Sequence, residues 1–151
     1  MLFKNRCLIG VFCLALFFPV VAFSADDEPE PTEPKEVTDK IKDICAKADE
    51  RYKKIMGGST DEPGVVIVKL YKYTFCPPNI EIKKGTTVRW VNVDRRTSHS
   101  VWLKQAGKEE SERFFPEELW SYTFNEPGKF PYLCGPHWKQ EKMYGHVTVT
   151  P

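Results

Sequence analysis

The sequence is short of several things, and each shortage removes a class of function. Charge of one sign is the first. Lys and Arg number 22 against 21 Asp and Glu, a formal net charge of +1. A nucleic-acid partner would want a strongly basic face, so none is expected. Histidine is the second: there are three, His99, His137 and His146. A structural zinc site normally draws four Cys/His ligands from two closely spaced pairs, and Cys134 with His137 has no second pair to join. A Cys–His nucleophilic dyad would need an oxyanion arrangement and a third orienting group, and neither is evident in the sequence. There is no internal repeat. No membrane span is expected beyond the first two dozen residues.

Those first residues carry the one long apolar run, Leu8 to Val21, behind a short basic start of Lys4 and Arg6. Ala22-Phe23-Ser24 then offers small residues at the spacing a signal peptidase needs, followed by the acidic Asp26-Asp27-Glu28. The pattern is that of a secretory signal over residues 1–24, and the expected location is the periplasm. Neither Cys7 nor Cys13 sits in a lipoprotein-type cleavage box. A mature chain starting at Ala25 keeps 20 basic and 21 acidic side chains, a net charge of −1. It also keeps three cysteines, Cys45, Cys76 and Cys134. An odd count in an oxidising compartment points to one disulfide and one thiol with other work.

Residues 25–36 are acidic and proline-rich, with almost nothing to bury, and read as an extended linker. Over residues 37–58, Ile41, Ile44, Cys45, Ala48, Tyr52, Ile55 and Met56 recur at three- and four-residue intervals. That periodicity marks one face of a helix, with Thr38 as N-cap and Gly57-Gly58 as its end. Too short to stand alone, it should pack on the outside of the domain that follows. From Gly64 the texture changes to short runs of β-branched and aromatic residues. Strands are expected over residues 65–75, 79–82, 87–93, 99–103, 120–124, 129–133 and 146–150, punctuated by Pro77-Pro78, Gly85, Gly107, Pro116 and Pro127-Gly128. The fold class is therefore all-β, an antiparallel sandwich or barrel over residues 64–151 with one appended N-terminal helix.

The chemistry concentrates in PYLCGPHWKQEKMYGHVTV, residues 131–149. Cys134 and His137, three residues apart in a loop between strands, can reach one ion, and the Met143 thioether can approach from a third side. VNVDRRTSHSVWL supplies His99, 35 residues before Cys134. One thiolate, two imidazoles and a weak thioether form the trigonal set that suits copper in both oxidation states. A site that suits both needs little rearrangement when an electron arrives.

These residues also carry a resemblance. GTTVRWVN, HSV, FPEELWSYTFNEPGKFPYLCGPH and MYGHVTV together resemble the plastocyanin, amicyanin and pseudoazurin family of cupredoxins, over roughly residues 65–150. The resemblance implies a Greek-key β-sandwich holding one type 1 copper through His99, Cys134, His137 and Met143. Two departures stand out. The spacing from Cys134 to Met143 is longer by one or more residues than in similar cupredoxins. Gln140 sits where the shortest-loop members place their methionine, and a glutamine oxygen can be an axial ligand. Met143 is preferred because Met143-x-Gly145-x-Val147-x-Val149 reproduces the family's approach to the last strand. The second departure is Ser100, where many relatives have asparagine; this leaves open what ties the two ligand loops together.

The remaining candidates have plainer readings. His146 alternates with Val147 and Val149, assigned to the core, and so should face solvent. Met56 reads as core filling rather than a second copper ligand. The tryptophans and the Phe114-Phe115 pair read as sandwich core or rim. Cys45 and Cys76 are either a disulfide pinning the helix or a second metal site, with the disulfide favoured. Arg95-Arg96 is either a basic rim that steers an acidic redox partner or a turn that needs solubility. RTSHSVW and ESERFFPEE resemble the periplasmic copper-tolerance cupredoxins. The expected function is thus a mononuclear copper protein cycling between Cu(I) and Cu(II) in electron transfer, copper tolerance or both. The alternative is a dedicated carrier to a cytochrome or respiratory complex. An enzyme of the multicopper type is not expected, because it would need a His-rich second cluster and only His146 is left over.

Overall fold

A computed structural model describes residues 29–57 and 62–151. The export signal expected over residues 1–24 lies outside the described residues, as does the start of the acidic segment.

The helix α1 spans Asp39–Met56. Thr38 has the extended backbone of an N-cap, its Oγ1 accepting the Ile41 N–H at 3.4 Å. Gly57 closes the helix in the left-handed region, at φ 73°, donating its N–H to the Lys53 carbonyl. Ala48 and Tyr52 are the residues that α1 buries fully. Met56, expected in the core, is 42% exposed; in the last turn it is Ile55 that packs against the core beneath the helix.

Seven strands follow: β1 (Val65–Tyr71), β2 (Thr74–Cys76), β3 (Asn79–Lys83), β4 (Thr87–Asn92), β5 (Leu119–Thr123), β6 (Gly128–Leu133) and β7 (Tyr144–Thr150). They form two sheets, ordered β2-β1-β4-β5 and β3-β7-β6. The sandwich is mixed rather than purely antiparallel. β1 runs parallel to β4, with Val68 opposite Trp90, and β3 runs parallel to β7. The stretch 99–103 is not a strand: His99 and Trp102 each make only an isolated bridge, to Phe114 and Leu133. Period-two patterning cannot tell a strand from a loop whose residues alternately touch the core.

Alternation along each strand fills the space between the sheets. Val68 and Leu70 of β1, Val88 and Trp90 of β4, Tyr132 of β6 and Val147 and Val149 of β7 meet there with Phe75 and Phe124. The other face of the first sheet is buried too. Val91, Val93 and Cys76 pack there against Ala48 and Tyr52 of α1. A disulfide joins Cys45 of α1 to Cys76 of β2, with Cα atoms 5.0 Å apart. Lys69–Asp49 adds an ion pair across the same contact.

Residues 29–36 have no helix or strand, and they lie against the second sheet. The Lys35 N–H donates to Asn79 Oδ1 at 2.9 Å, and Asn79 Nδ2 returns a bond to the Lys35 carbonyl at 2.7 Å. The Lys35 ammonium sits 4.2 Å above the Tyr144 ring, and Glu30 pairs with Lys104. This covering corrects the expectation for His146. It does point away from Val147, but Asn79 is its neighbour on β3, and it is 1% exposed rather than solvated. Its Nε2 has no hydrogen-bond partner, and burial, with Lys129 nearby, holds its pKa below the usual histidine value. Among the described residues no helix is long and apolar enough to cross a membrane.

Candidate metal centre

Cys134 follows directly on β6, and the chain from there to β7 is wound rather than looped. Its carbonyl accepts the N–H groups of His137 and Trp138, at 3.0 and 2.9 Å. His137 is the N-cap of a single helical turn, α2 (Trp138–Glu141), and Lys142 turns the chain out of it in the left-handed region at φ 52°. The Cys134 N–H then donates to the Met143 carbonyl at 3.0 Å. The residues that lengthen this loop are thus taken up by a turn of helix, and Met143 returns beside Cys134. Met143 is fully buried, whereas Gln140 lies on the exposed side of α2.

His99 comes from the other side of the sandwich. Its backbone is pinned to Phe114 by two hydrogen bonds, of 3.1 and 2.9 Å. Asn92 ties down the loop between them: its Nδ2 donates to the Thr97 and Phe114 carbonyls, and its Oδ1 accepts the Asp94 N–H. Asp94 Oδ2 accepts a hydrogen bond from the His99 Nε2–H at 2.8 Å, which leaves Nδ1 free to bind. The imidazole is fully buried.

The two sources meet at the sulfur. Cys134 Sγ lies 3.3 Å from His137 Nδ1 and 3.8 Å from His99 Nδ1, and the three donor atoms fall within 4.8 Å of one another. First-row ions bind nitrogen at about 2.0 Å and sulfur at about 2.3 Å, so two donors on one trigonal ion stand about 3.3–3.9 Å apart. The sulfur–nitrogen distances fit that spacing. Ser100 ties the ligand loops where an asparagine is common. Its N–H points at Cys134 Sγ at 3.5 Å, and its Oγ accepts the Gly135 N–H at 3.2 Å while donating to Glu110 at 2.5 Å.

The electrostatics favour neutral donors before a cation arrives. Burial raises the Cys134 thiol pKa, opposed by the Ser100 hydrogen bonds and the charge of Arg113. Burial first, then the charges of His99 and Arg113, push His137 down to about 4. A cation would displace the thiol proton and find the His137 imidazole unprotonated near neutral pH.

Tyr73 completes the site from a direction the sequence reading missed. Lys72 and Tyr73 form the two-residue turn between β1 and β2, both with positive φ, 47° and 58°. Such turns usually hold Asn-Gly, since the left-handed region costs other residues about 1–2 kcal/mol each. Here the turn sets the Tyr73 ring edge-on to His137, centroids 4.9 Å apart, and 6.3 Å from His99. Tyr73 is 38% exposed and so lies between the imidazoles and solvent. Asp94 was missed as well; its only signal was a carboxylate five residues before a candidate ligand histidine.

Comparison with known proteins agrees with this geometry. A family model described as copper binding proteins, plastocyanin/azurin family, matches residues 64–150. The chain belongs to that family. It is a cupredoxin, and cupredoxins of this kind bind one type 1 copper and transfer electrons. It is 32% identical to amicyanin-alpha of Methylorubrum extorquens over 110 residues, 70% of this chain and 84% of the relative. It is also 32% identical to amicyanin of Paracoccus versutus over 75 residues, 48% of this chain and 57% of that one. A solved structure of a Cu(I) amicyanin variant superposes with a TM-score of 0.52 at 29% identity, over 59% of this chain and 85% of its own. Both α1 and the covering segment at residues 29–36 lie outside the family match. Copper bound among these donors would supply a one-electron couple. The chain's own residues supply the rest: Asp94 orients one imidazole, Ser100 holds the sulfur, and Tyr73 screens the pair.

Proposed function

We propose that His99, Cys134, His137 and Met143 are the copper ligands, and that the chain is an exported periplasmic cupredoxin cycling between Cu(I) and Cu(II) in copper tolerance, electron transfer or both. One observation carries the ligand set: the two imidazole nitrogens converge on the buried Cys134 sulfur from separate parts of the chain. Met143 is favoured over Gln140 as axial ligand because it is buried and hydrogen-bonded back to Cys134, while Gln140 faces solvent. The tolerance role draws on the RTSHSVW and ESERFFPEE phrases and on the N-terminal extension with Cys45. The export step draws on the apolar run and cleavage pattern before Ala25. A carrier is favoured over an oxidase because His146, the remaining histidine, sits alone beneath residues 29–36.

The role is tested by deleting the gene and growing the source organism across a copper gradient while recording respiration. Copper hypersensitivity with normal respiration is the expected result. Unchanged tolerance with impaired respiration would leave a dedicated carrier, delivering electrons to a cytochrome or respiratory complex, and remove tolerance from the reading.

A further inference from the structure

The helix α1 does more than cover the first sheet. Its C-terminal half and the loop after β4 enclose a groove of about 250 Å³, lined by Lys47, Glu50, Arg51, Lys54, Ile55, Tyr71 and Arg95. Four of the lining residues are cationic and one is acidic. Lys72 adds a fifth cation at the edge, its ammonium 5.6 Å from the Tyr71 ring, while the Arg51 guanidinium lies 5.4 Å from the same ring. Among the described residues, none of these five cations pairs with a carboxylate. Asp49, the other acid of this half-helix, is already paired with Lys69. Lys47, Lys54 and Arg95 are exposed.

The groove is held rigidly and close to the metal centre. The Cys45–Cys76 disulfide fixes α1 to β2, and Arg51 Nε donates to the Val93 carbonyl, one residue before Asp94. Asp94 in turn holds His99 and accepts the Lys72 N–H. Tyr71 at the groove floor is two residues from Tyr73, a span of at most about 7 Å. Tyr73 meets the His137 ring. A partner seated in the groove would therefore lie beside the outlet of the imidazoles.

We propose that this groove is the docking surface for a carboxylate-rich segment of the redox partner, placing the partner's centre over Tyr73 and His137. The proposal rests on the electron-transfer reading above. Its support is charge complementarity: a concentration of unpaired cations with an aromatic floor, on a chain whose net charge is close to zero. Such a patch steers an anionic partner and raises its on-rate about tenfold or more at low salt.

The test uses two synthetic probes, octaglutamate and octalysine, each carrying a terminal ferrocenium. Oxidation of the Cu(I) protein passes one electron to ferrocenium, giving Cu(II) and ferrocene, with no bond made or broken. At low ionic strength the octaglutamate probe should react at least about tenfold faster than octalysine, a margin lost at high salt. The combined K47E, K54E and R95E variant should erase that preference, whereas K83E with K84E, at the far end of β3, should keep it. Equal rates for the two probes would overturn the proposal. So would a preference that survives the triple variant. Docking is read separately from amide chemical shifts of the nitrogen-15-labelled chain titrated with untagged octaglutamate. Shifts confined to residues 47–55, 71–72 and 95 are expected with or without copper. Shifts elsewhere would overturn the docking surface. A chain that takes up no copper but shifts in the groove would sink the ligand set and leave the groove standing.

Discussion

The two halves of the candidate metal centre are built on opposite plans. His99 stands in a loop with no regular structure, fully buried and locked by two side chains, Asp94 on its ring and Asn92 on the loop around it, with a pair of backbone bonds to Phe114. Cys134, His137 and Met143 sit in one short stretch whose backbone bonds to itself, and His137 is partly open to solvent. The first half depends on side-chain hydrogen bonds, the second on local winding. A damaged first half should therefore lose ligand orientation, and a damaged second half should change what the site is.

The sharpest way to break the comparison is Cys134→Ser. It should abolish the strong visible charge-transfer band of the Cu(II) form, read by absorbance; an unchanged band would remove Cys134 from the ligand set. Next is Asp94→Ala, which frees the His99 ring without touching a donor. Copper affinity should fall about 10–100-fold, as for other carboxylates behind ligand histidines, by competition with a chelator. A loss of less than twofold would mean that backbone pinning alone orients His99. In the wound half, Met143→Leu should shift the reduction potential while Gln140→Leu leaves it nearly unchanged, by voltammetry. The reverse pattern would make Gln140 the axial ligand.

The smallest effect belongs to a residue in neither half. His146 is buried with a lowered pKa, so the unfolded chain binds its proton more readily than the folded one. That stabilisation is complete above the unfolded value of about 6.5 and is lost as pH falls through the folded value. Urea unfolding of the copper-loaded protein should show stability falling on acidification below about pH 6.5, with a shallower fall in His146→Gln. Identical pH profiles would remove His146 as the cause.

This division explains what was legible in the sequence. The wound half was readable because Cys134, His137 and Met143 lie close together and their spacing is the signal. The strands and α1 were readable from periodicity, down to Thr38 and Gly57. The locked half was not: Asp94 and Tyr73 act across turns whose conformation no alternation pattern records, and the region around His99 imitates a strand. The parallel pairings of β1 with β4 and β3 with β7 depend on crossovers, which local patterning does not encode. His146 was misplaced for a related reason. Alternation gave the face of β7 correctly, but not that residues 29–36 would cover it.

The position of the first sheet has one more effect. Three cysteines beyond residue 24 can pair in three ways, and only Cys45 with Cys76 leaves the Cys134 thiol free. Cys76 belongs to the cluster beneath α1, and Cys134 to the cluster between the sheets. The sheet β2-β1-β4-β5 is thus a wall between oxidant-sensitive sulfurs. Once it has closed, Cys134 can pair with neither partner of the disulfide unless the domain unfolds, so the fold itself keeps that thiol free.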